Sequence, residues 1–295
     1  MNELISNGHR LSAAPERLGR LEPTESGTPM AELRTRYRQH GYLWLKRFLN
    51  RGEVLAFRER FFSALVGTGL LAEGSDPGLG IHGGGETQSE TEKVLMEFAR
   101  TAAFESFCLQ PRLWRFFDDF LQGPSYLHKR KIIRYTAPGK GFTTPAHYDL
   151  IYLRGGSDSV CTAWIPIGDV PVAMGGVIYL EGSDALGRKM EREFAERNAD
   201  LPPDERISAY NKNMAEGGWI GRDLPAMAER FDARWLMADY EAGDIVVHSA
   251  YMIHAATDNV DPGGRIRLST DIRYQSVRDE IDARWGNHWA LDDML

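Results

Sequence analysis

Thr144-Pro-Ala-His-Tyr-Asp-Leu-Ile-Tyr-Leu153 is the stretch around which the chain is read, because it carries His147 and Asp149 two residues apart. Read as a strand, it projects both side chains to one face and Tyr148 to the other. A neutral imidazole and a carboxylate at that spacing can hold one metal ion, but two ligands are too few for a tight site. About a hundred residues later, Gly243-Asp-Ile-Val-Val-His-Ser-Ala-Tyr-Met-Ile-His254 offers a third ligand, His254. Two histidines and one carboxylate on one face leave open positions for an organic co-substrate and oxygen, the pattern of non-haem Fe(II) oxygenases. His248 shares strand parity with His254 and reads as a packed or supporting residue.

Outward from this stretch the chain has the texture of short strands. Tyr126 to Tyr135 ends at the turn signal Ala137-Pro-Gly-Lys-Gly141. Further strands are expected at Val160–Ile167, Gly175–Leu180, Asp244–His248 and Ile266–Tyr274. Consecutive short strands without alternating helices argue for a β-barrel or sandwich rather than a doubly wound sheet. Before residue 125, helical spacing follows Pro29, a strand covers Tyr42–Leu49, and helices run from Arg51 and through 91–121. Their stripes, such as Phe104, Phe107 and Cys108, read as packing against the outside of the barrel. Residues 66–90 read as loop. Residues 1–28 read as a mobile, disordered tail, and 29–295 as one domain. Residues 185–237, charged and helical in pattern, read as an insertion covering the site, with Gly217-Gly218 as a hinge.

Composition bounds the function. Of 295 residues, 42% are apolar and 26% charged, ordinary for a globular chain. A net charge of −7 gives no general attraction to nucleic acid, and only His128-Lys-Arg-Lys131 is locally basic. Two cysteines, Cys108 and Cys161, form neither a disulfide framework nor a zinc motif. No apolar run approaches a membrane span, and the N-terminus has no hydrophobic signal core. The expectation is a cytoplasmic protein, monomer or homodimer, that works on a small molecule.

The sequence resembles the phytanoyl-CoA dioxygenase family of Fe(II)- and 2-oxoglutarate-dependent oxygenases. The resemblance lies in Ala137-Pro-Gly before the His147/Asp149 stretch, Trp164 in Cys161-Thr-Ala-Trp-Ile, and Gly175-Gly176 leading to Leu180-Glu-Gly-Ser-Asp184. Gly243-Asp244, His254 and Arg265, eleven residues past His254, complete it, with Tyr37-Arg-Gln-His-Gly-Tyr-Leu-Trp-Leu at the entry. It covers roughly residues 30–276.

The resemblance implies a mainly β fold with flanking helices, a double-stranded β-helix (jelly-roll, cupin-like) core with iron at one end. It implies His147, Asp149 and His254 as iron ligands, with Fe(II), 2-oxoglutarate and O2 yielding succinate and CO2. Arg265 would pair with the distal carboxylate of 2-oxoglutarate, a role suited to a guanidinium fork. Arg267 shares its strand face, and the family's eleven-residue step selects Arg265. Trp164 would line the co-substrate pocket, and Lys131 and Tyr135 would lie on the strand of further contacts. Because Asp149 keeps the carboxylate ligand, hydroxylation is favoured over halogenation. Two alternatives stay open: a zinc- or manganese-dependent hydrolase or isomerase on a cupin-like barrel, and a small-molecule binding protein.

Overall fold

Helix and sheet boundaries follow local chemistry. In the computed structural model, residues 4–25, 27–214 and 218–293 are described. Helix α1 (Met30–His40) starts after Pro29 and stops at Gly41, whose left-handed φ of 77° lets its N–H return to the Tyr37 carbonyl at 2.8 Å. Helix α2 (Arg51–Ala64) is capped by Asn50, whose Oδ1 accepts from the Glu53 N–H at 3.1 Å. The loop expected over 66–90 ends early, and helices α3 (Gln88–Phe98), α4 (Ala102–Cys108) and α5 (Pro111–Phe120) follow it.

The larger sheet contains β4 (Pro23–Thr24), β5 (Tyr42–Leu45), β11 (Ile245–Ser249), β8 (Cys161–Pro166), β13 (Arg267–Ser276) and β6 (Ser125–Leu127), in that spatial order. Strand β7 (Ile132–Thr136) also pairs with β13. The smaller sheet runs β12 (His254–Ala256), β9 (Val177–Leu180), β10 (Trp235–Met237) and β3 (Leu18–Arg20). Most pairings are antiparallel, and the fold is the double-stranded β-helix expected from the sequence, β-rich with flanking helices.

Strand β13 sorts the two sides of the larger sheet by period-two alternation. Leu268, Ile272 and Tyr274 join the main core, where Phe117 of α5 stacks on Tyr274 with centroids 3.8 Å apart. Burying a side chain of this size contributes roughly 1.5–3 kcal/mol, so the early helices hold the sheet's outer face. Arg267, Ser269, Asp271 and Arg273 alternate with these residues and line a cavity on the inner side.

Three expectations need correction. Residues 4–24 are not a loose tail. Strands β1 (Ile5–Ser6) and β2 (His9–Arg10) form a hairpin, β3 and β4 add parallel edges to the two sheets, and Leu4, Leu11 and Leu21 are buried. The 147–153 stretch is not a continuous strand. Ala146 and His147 make single bridges, and the chain then turns at Asp149 (φ −65°, ψ −29°) into helix α6 (Leu150–Leu153). The strand expected over 126–135 is broken at His128-Lys-Arg-Lys131, where His128, Arg130 and Lys131 turn inward and only Lys129 stays exposed. There Arg130 meets Asp293 and Lys131 meets Glu105, so no basic patch is displayed.

The 185–237 segment holds α7 (Ser183–Arg197), α8 (Pro203–Ile207) and α9 (Leu224–Arg230). Helix α7 is clamped to the barrel, because Glu191 accepts from Arg154 Nε at 2.6 Å and from the Tyr148 hydroxyl at 2.7 Å. Of the expected hinge pair, Gly217 lies outside the described residues. Gly218 is packed, with a Cβ there 3.1 Å from the Ala209 carbonyl. Among the described residues no helix is long and apolar enough to cross a membrane.

Candidate metal centre and co-substrate cavity

Two backbone bonds build the centre. The His147 N–H donates to the His254 carbonyl at 3.0 Å, and the His254 N–H returns to the His147 carbonyl at 2.9 Å. This single bridge sets the two rings side by side, with centroids 4.3 Å apart. The turn into α6 then swings Asp149 beneath them, so Asp149 Oδ1 lies 3.9 Å from Nε2 of each histidine. The three ligand atoms all fall within 4.8 Å of one another.

Supporting bonds aim these atoms. His147 Nδ1 donates to the Pro145 carbonyl and His254 Nδ1 to the Met252 carbonyl, both at 2.9 Å. With Nδ1 committed as donor, each ring presents the Nε2 lone pair inward. Burial holds the pKa of both imidazoles below the ordinary range, that of His254 well below, and for His254 the neighbouring His147 and His248 add to the effect. Burial alone would raise the Asp149 pKa. The Arg273 guanidinium, the hydrogen bond from His248 and the nearby His254 overcome it, and the carboxyl stays well below its usual range. Neutral imidazoles and an ionised carboxylate are the protonation states a metal requires.

Asp149 divides its oxygens. Oδ2 accepts from the Thr162 hydroxyl and from His248 Nε2 at 3.2 Å, and Oδ1 accepts from Arg273 Nη2 at 3.1 Å while facing the histidines. His248 is thus a supporting residue, as expected, and its Nδ1 is 3.0 Å from the Tyr179 hydroxyl. The donor set of two imidazole nitrogens and one carboxylate oxygen suits iron.

Two connected cavities meet at these ligands. The inner one, about 40 Å³, is lined by His147, His254, Trp164, Arg267, Ser269 and Arg273, among others. The outer one, about 220 Å³, shares Arg134, Thr144, His147 and Arg273 with it and is otherwise walled largely by aromatic side chains. A wider hollow of about 500 Å³ beside Leu4, Leu11 and Met237 contains none of the ligand residues.

Trp164 lines the inner cavity. Arg265 does not. It sits in the turn before β13 with its side chain 42% exposed, held by Asp261 through Nε at 2.9 Å and Nη2 at 2.7 Å. The expectation counted residues along the chain, and the Asp261-Pro-Gly-Gly264 turn uses up part of that count before the strand begins. Arg267, the first residue of β13, occupies the cavity instead. It is buried, donating from Nη1 to the Gly175 carbonyl at 2.8 Å and from Nη2 to Thr136 Oγ1 at 2.7 Å, with Nε unpartnered.

Lys131 and Tyr135 also lie away from both cavities. Lys131 is paired with Glu105 at 2.7 Å, and Tyr135 alternates to the Leu268 side of β7 against the main core. Their neighbours Arg134 and Thr136 face inward. The signal that would have found Arg134, Ser269 and Arg273 was the polar alternation of β13 and its register with β7.

Residues 37–267 match the phytanoyl-CoA dioxygenase (PhyH) family. A curated relative, the 1-deoxypentalenic acid 11-beta-hydroxylase of Streptomyces arenae, is 28% identical over 247 residues, which cover 81% of this chain and 78% of that protein. Among solved structures, the epimerase SnoN in complex with Fe3+, alpha ketoglutarate and nogalamycin RO superposes with a TM-score of 0.56 at 19% identity, covering 85% of each chain. EctD from S. alaskensis with 2-oxoglutarate and 5-hydroxyectoine gives 0.56 at 14%, covering 90% of this chain and 84% of that one. At those identities the two structures speak for the fold. The family match spans most of the sequence and falls on a barrel that converges two imidazoles and a carboxylate, so this chain belongs to the phytanoyl-CoA dioxygenase family and is a non-haem Fe(II)- and 2-oxoglutarate-dependent oxygenase.

Proposed function

We propose that His147 Nε2, Asp149 Oδ1 and His254 Nε2 hold the iron, that Arg267 receives the distal carboxylate of 2-oxoglutarate, and that the enzyme hydroxylates a small organic molecule in the outer cavity. The observation that carries this reading is the convergence of three buried ligand atoms within 4.8 Å, beside a buried arginine with N–H groups to spare. A guanidinium has five N–H donors. Arg267 directs two at Gly175 and Thr136, which leaves its fork for a carboxylate. Ser269 lines the same cavity, and Trp164 closes its wall.

When bound, iron with 2-oxoglutarate and O2 supplies oxidation of a C–H bond: RH, 2-oxoglutarate and O2 become ROH, succinate and CO2. The chain's own residues supply position and shelter. Arg273, Thr162 and His248 keep Asp149 ionised and turned toward the histidines. Arg267, held by the Gly175 carbonyl and Thr136 Oγ1, would fix which way the co-substrate lies in the inner cavity. Tyr210 and Trp219, from the segment after α8, wall the outer cavity and exclude water from the reacting bond. We read the 185–237 segment as the cover of that cavity.

The curated relative is named as a hydroxylase, and Asp149 retains the carboxylate ligand, so hydroxylation is the outcome favoured here. The finer reading places the enzyme in the cytoplasm, as a monomer or homodimer without nucleic-acid or membrane partners. The net charge of −7 and the two buried free thiols support it.

The test is succinate formation from 2-oxoglutarate with Fe(II) and ascorbate, which uncoupled turnover reports even without the substrate. The parent should form succinate, and His147→Ala, Asp149→Ala and His254→Ala should not while remaining folded. A ligand variant that binds iron and turns over like the parent contradicts the assignment of that residue.

A further inference from the structure

Two arginines face the outer cavity in a setting that is otherwise mostly aromatic. Phe142, Tyr152, Tyr210, Trp219 and Trp285 furnish much of the wall, with Arg134, Arg273 and Asp149 at the ligand end. Asp149 is the one carboxylate among the lining residues, and its oxygens are engaged by Arg273, Thr162 and His248. Iron would add further positive charge. The wall is therefore short of anionic acceptors.

The arginines have N–H groups to offer. Arg273 is 5% exposed and spends Nη2 on Asp149, while its Nε and Nη1 have no hydrogen-bond partner. A buried, unsatisfied donor costs free energy of its own, so a ligand acceptor at this point would gain more than an exposed one. Arg134, unlike Arg273, has its side chain 43% exposed; it is held by Asp271 through Nε at 3.2 Å, and among the described residues its two terminal amino groups donate to nothing else. It lines both cavities and stands on β7 opposite Ser269, at the boundary between co-substrate and substrate. A planar fork of this kind matches a carboxylate better than a hydroxyl or carbonyl. The remaining surface suits hydrocarbon, and a volume of about 220 Å³ lies below the ~300 Å³ at which drug-sized pockets begin, so the molecule is compact.

We propose that the substrate is a compact, largely hydrocarbon carboxylic acid, its carboxylate received by Arg134 and Arg273 and its body packed against Trp219, Tyr210, Phe142 and Trp285. Arg134 is then the specificity-determining residue, since Arg273 also serves the iron ligand. The proposal rests on the reading that iron and 2-oxoglutarate fill the inner site.

The experiment uses the anaerobic holoenzyme with Fe(II) and saturating 2-oxoglutarate, so that a probe acid cannot settle in the co-substrate site. Adamantane-1-carboxylic acid, cyclohexanecarboxylic acid and 1-deoxypentalenic acid are each titrated beside their primary carboxamides, neutral compounds of nearly the same shape. Binding is followed by fluorescence of the cavity tryptophans. At least one acid should bind about tenfold or more tightly than its amide. Arg134→Gln should lower that ratio severalfold, Arg273 holding the remainder, and Arg134→Lys should keep more of it. Equal binding within every pair, or a preference that Arg134→Gln leaves undiminished, overturns the proposal. Failure of the parent to bind 2-oxoglutarate contradicts instead the reading on which it rests.

Discussion

Arg267 donates from Nη1 to the carbonyl of Gly175 at 2.8 Å, tying the first residue of β13 to the turn that precedes β9. Gly175 can hold that carbonyl in place because it adopts φ +74°, and a Cβ there would stand 2.3 Å from the Thr257 carbonyl oxygen.

Gly175→Ala should therefore lose stability and co-substrate binding together. The left-handed conformation costs about 1–2 kcal/mol for an L-residue, and the clash adds to it, so urea unfolding should show a loss of at least ~2 kcal/mol. Gly182→Ala is the control, since Gly182 has φ +67° with nothing within 4 Å of the added Cβ. It should lose only the conformational part and bind 2-oxoglutarate normally. If Gly175→Ala bound 2-oxoglutarate as the parent does, its carbonyl would have no part in orienting Arg267.

His248→Ala should weaken the metal centre without abolishing it. The substitution removes a hydrogen bond to Asp149 Oδ2 and leaves Thr162 and Arg273 in place. Loss of such a supporting residue typically lowers metal affinity about 10–100-fold, less than the loss of a ligand. Anaerobic Fe(II) titration checks the order, with His254→Ala expected to be much the weaker binder. Equal loss in the two variants would make His248 a ligand in its own right.

The metal-free protein should lose stability as the pH falls below the ordinary histidine range. His147, His254 and His128 have folded pKa values lowered by burial from 6.5. Below about pH 6.5 the unfolded chain therefore binds more protons than the folded one, and stability falls with falling pH. Each such histidine contributes up to about 1.4 kcal/mol per pH unit until its folded pKa is passed. Asp149, with its pKa depressed, acts in the same direction but only as the pH falls below its ordinary 3.8. Chelator-treated protein followed by chemical denaturation between pH 7.5 and 5.5 should show this slope, and His254→Gln should make it shallower. A slope unchanged by His254→Gln would mean that His254 titrates normally in the fold.

How much of this was legible in sequence differs from residue to residue. The barrel was legible because β8, β9, β11 and β13 carry dense apolar runs broken by turn residues. The three ligands were legible as residue types at separations suited to a metal. Their geometry was not, since Asp149 reaches the histidines through a turn into α6, and the short interval from Ala146 to Leu153 carries no period that separates strand from helix. Residues 4–24 were misread because such short segments are held by partners far along the chain, as where the Ser6 hydroxyl donates to the Ala256 carbonyl. Arg265 and Arg267 share strand parity, so only the length of the preceding turn distinguishes them. That turn is closed by Asp261, which captures the Arg265 backbone N–H at 3.0 Å and its guanidinium together.

The most direct test of the account is the binding of 2-oxoglutarate to anaerobic Fe(II) complexes, followed by the charge-transfer absorption, in Arg267→Leu, Arg267→Lys and Arg265→Leu. Losing a charge-assisted fork from a buried site should cost roughly 1.5–3 kcal/mol, so Arg267→Leu should bind about 10- to 150-fold more weakly. Arg267→Lys should fall between it and the parent, and Arg265→Leu should match the parent, with Fe(II) affinity retained throughout. Parent-like binding in Arg267→Leu, with the loss appearing in Arg265→Leu, would contradict the assignment.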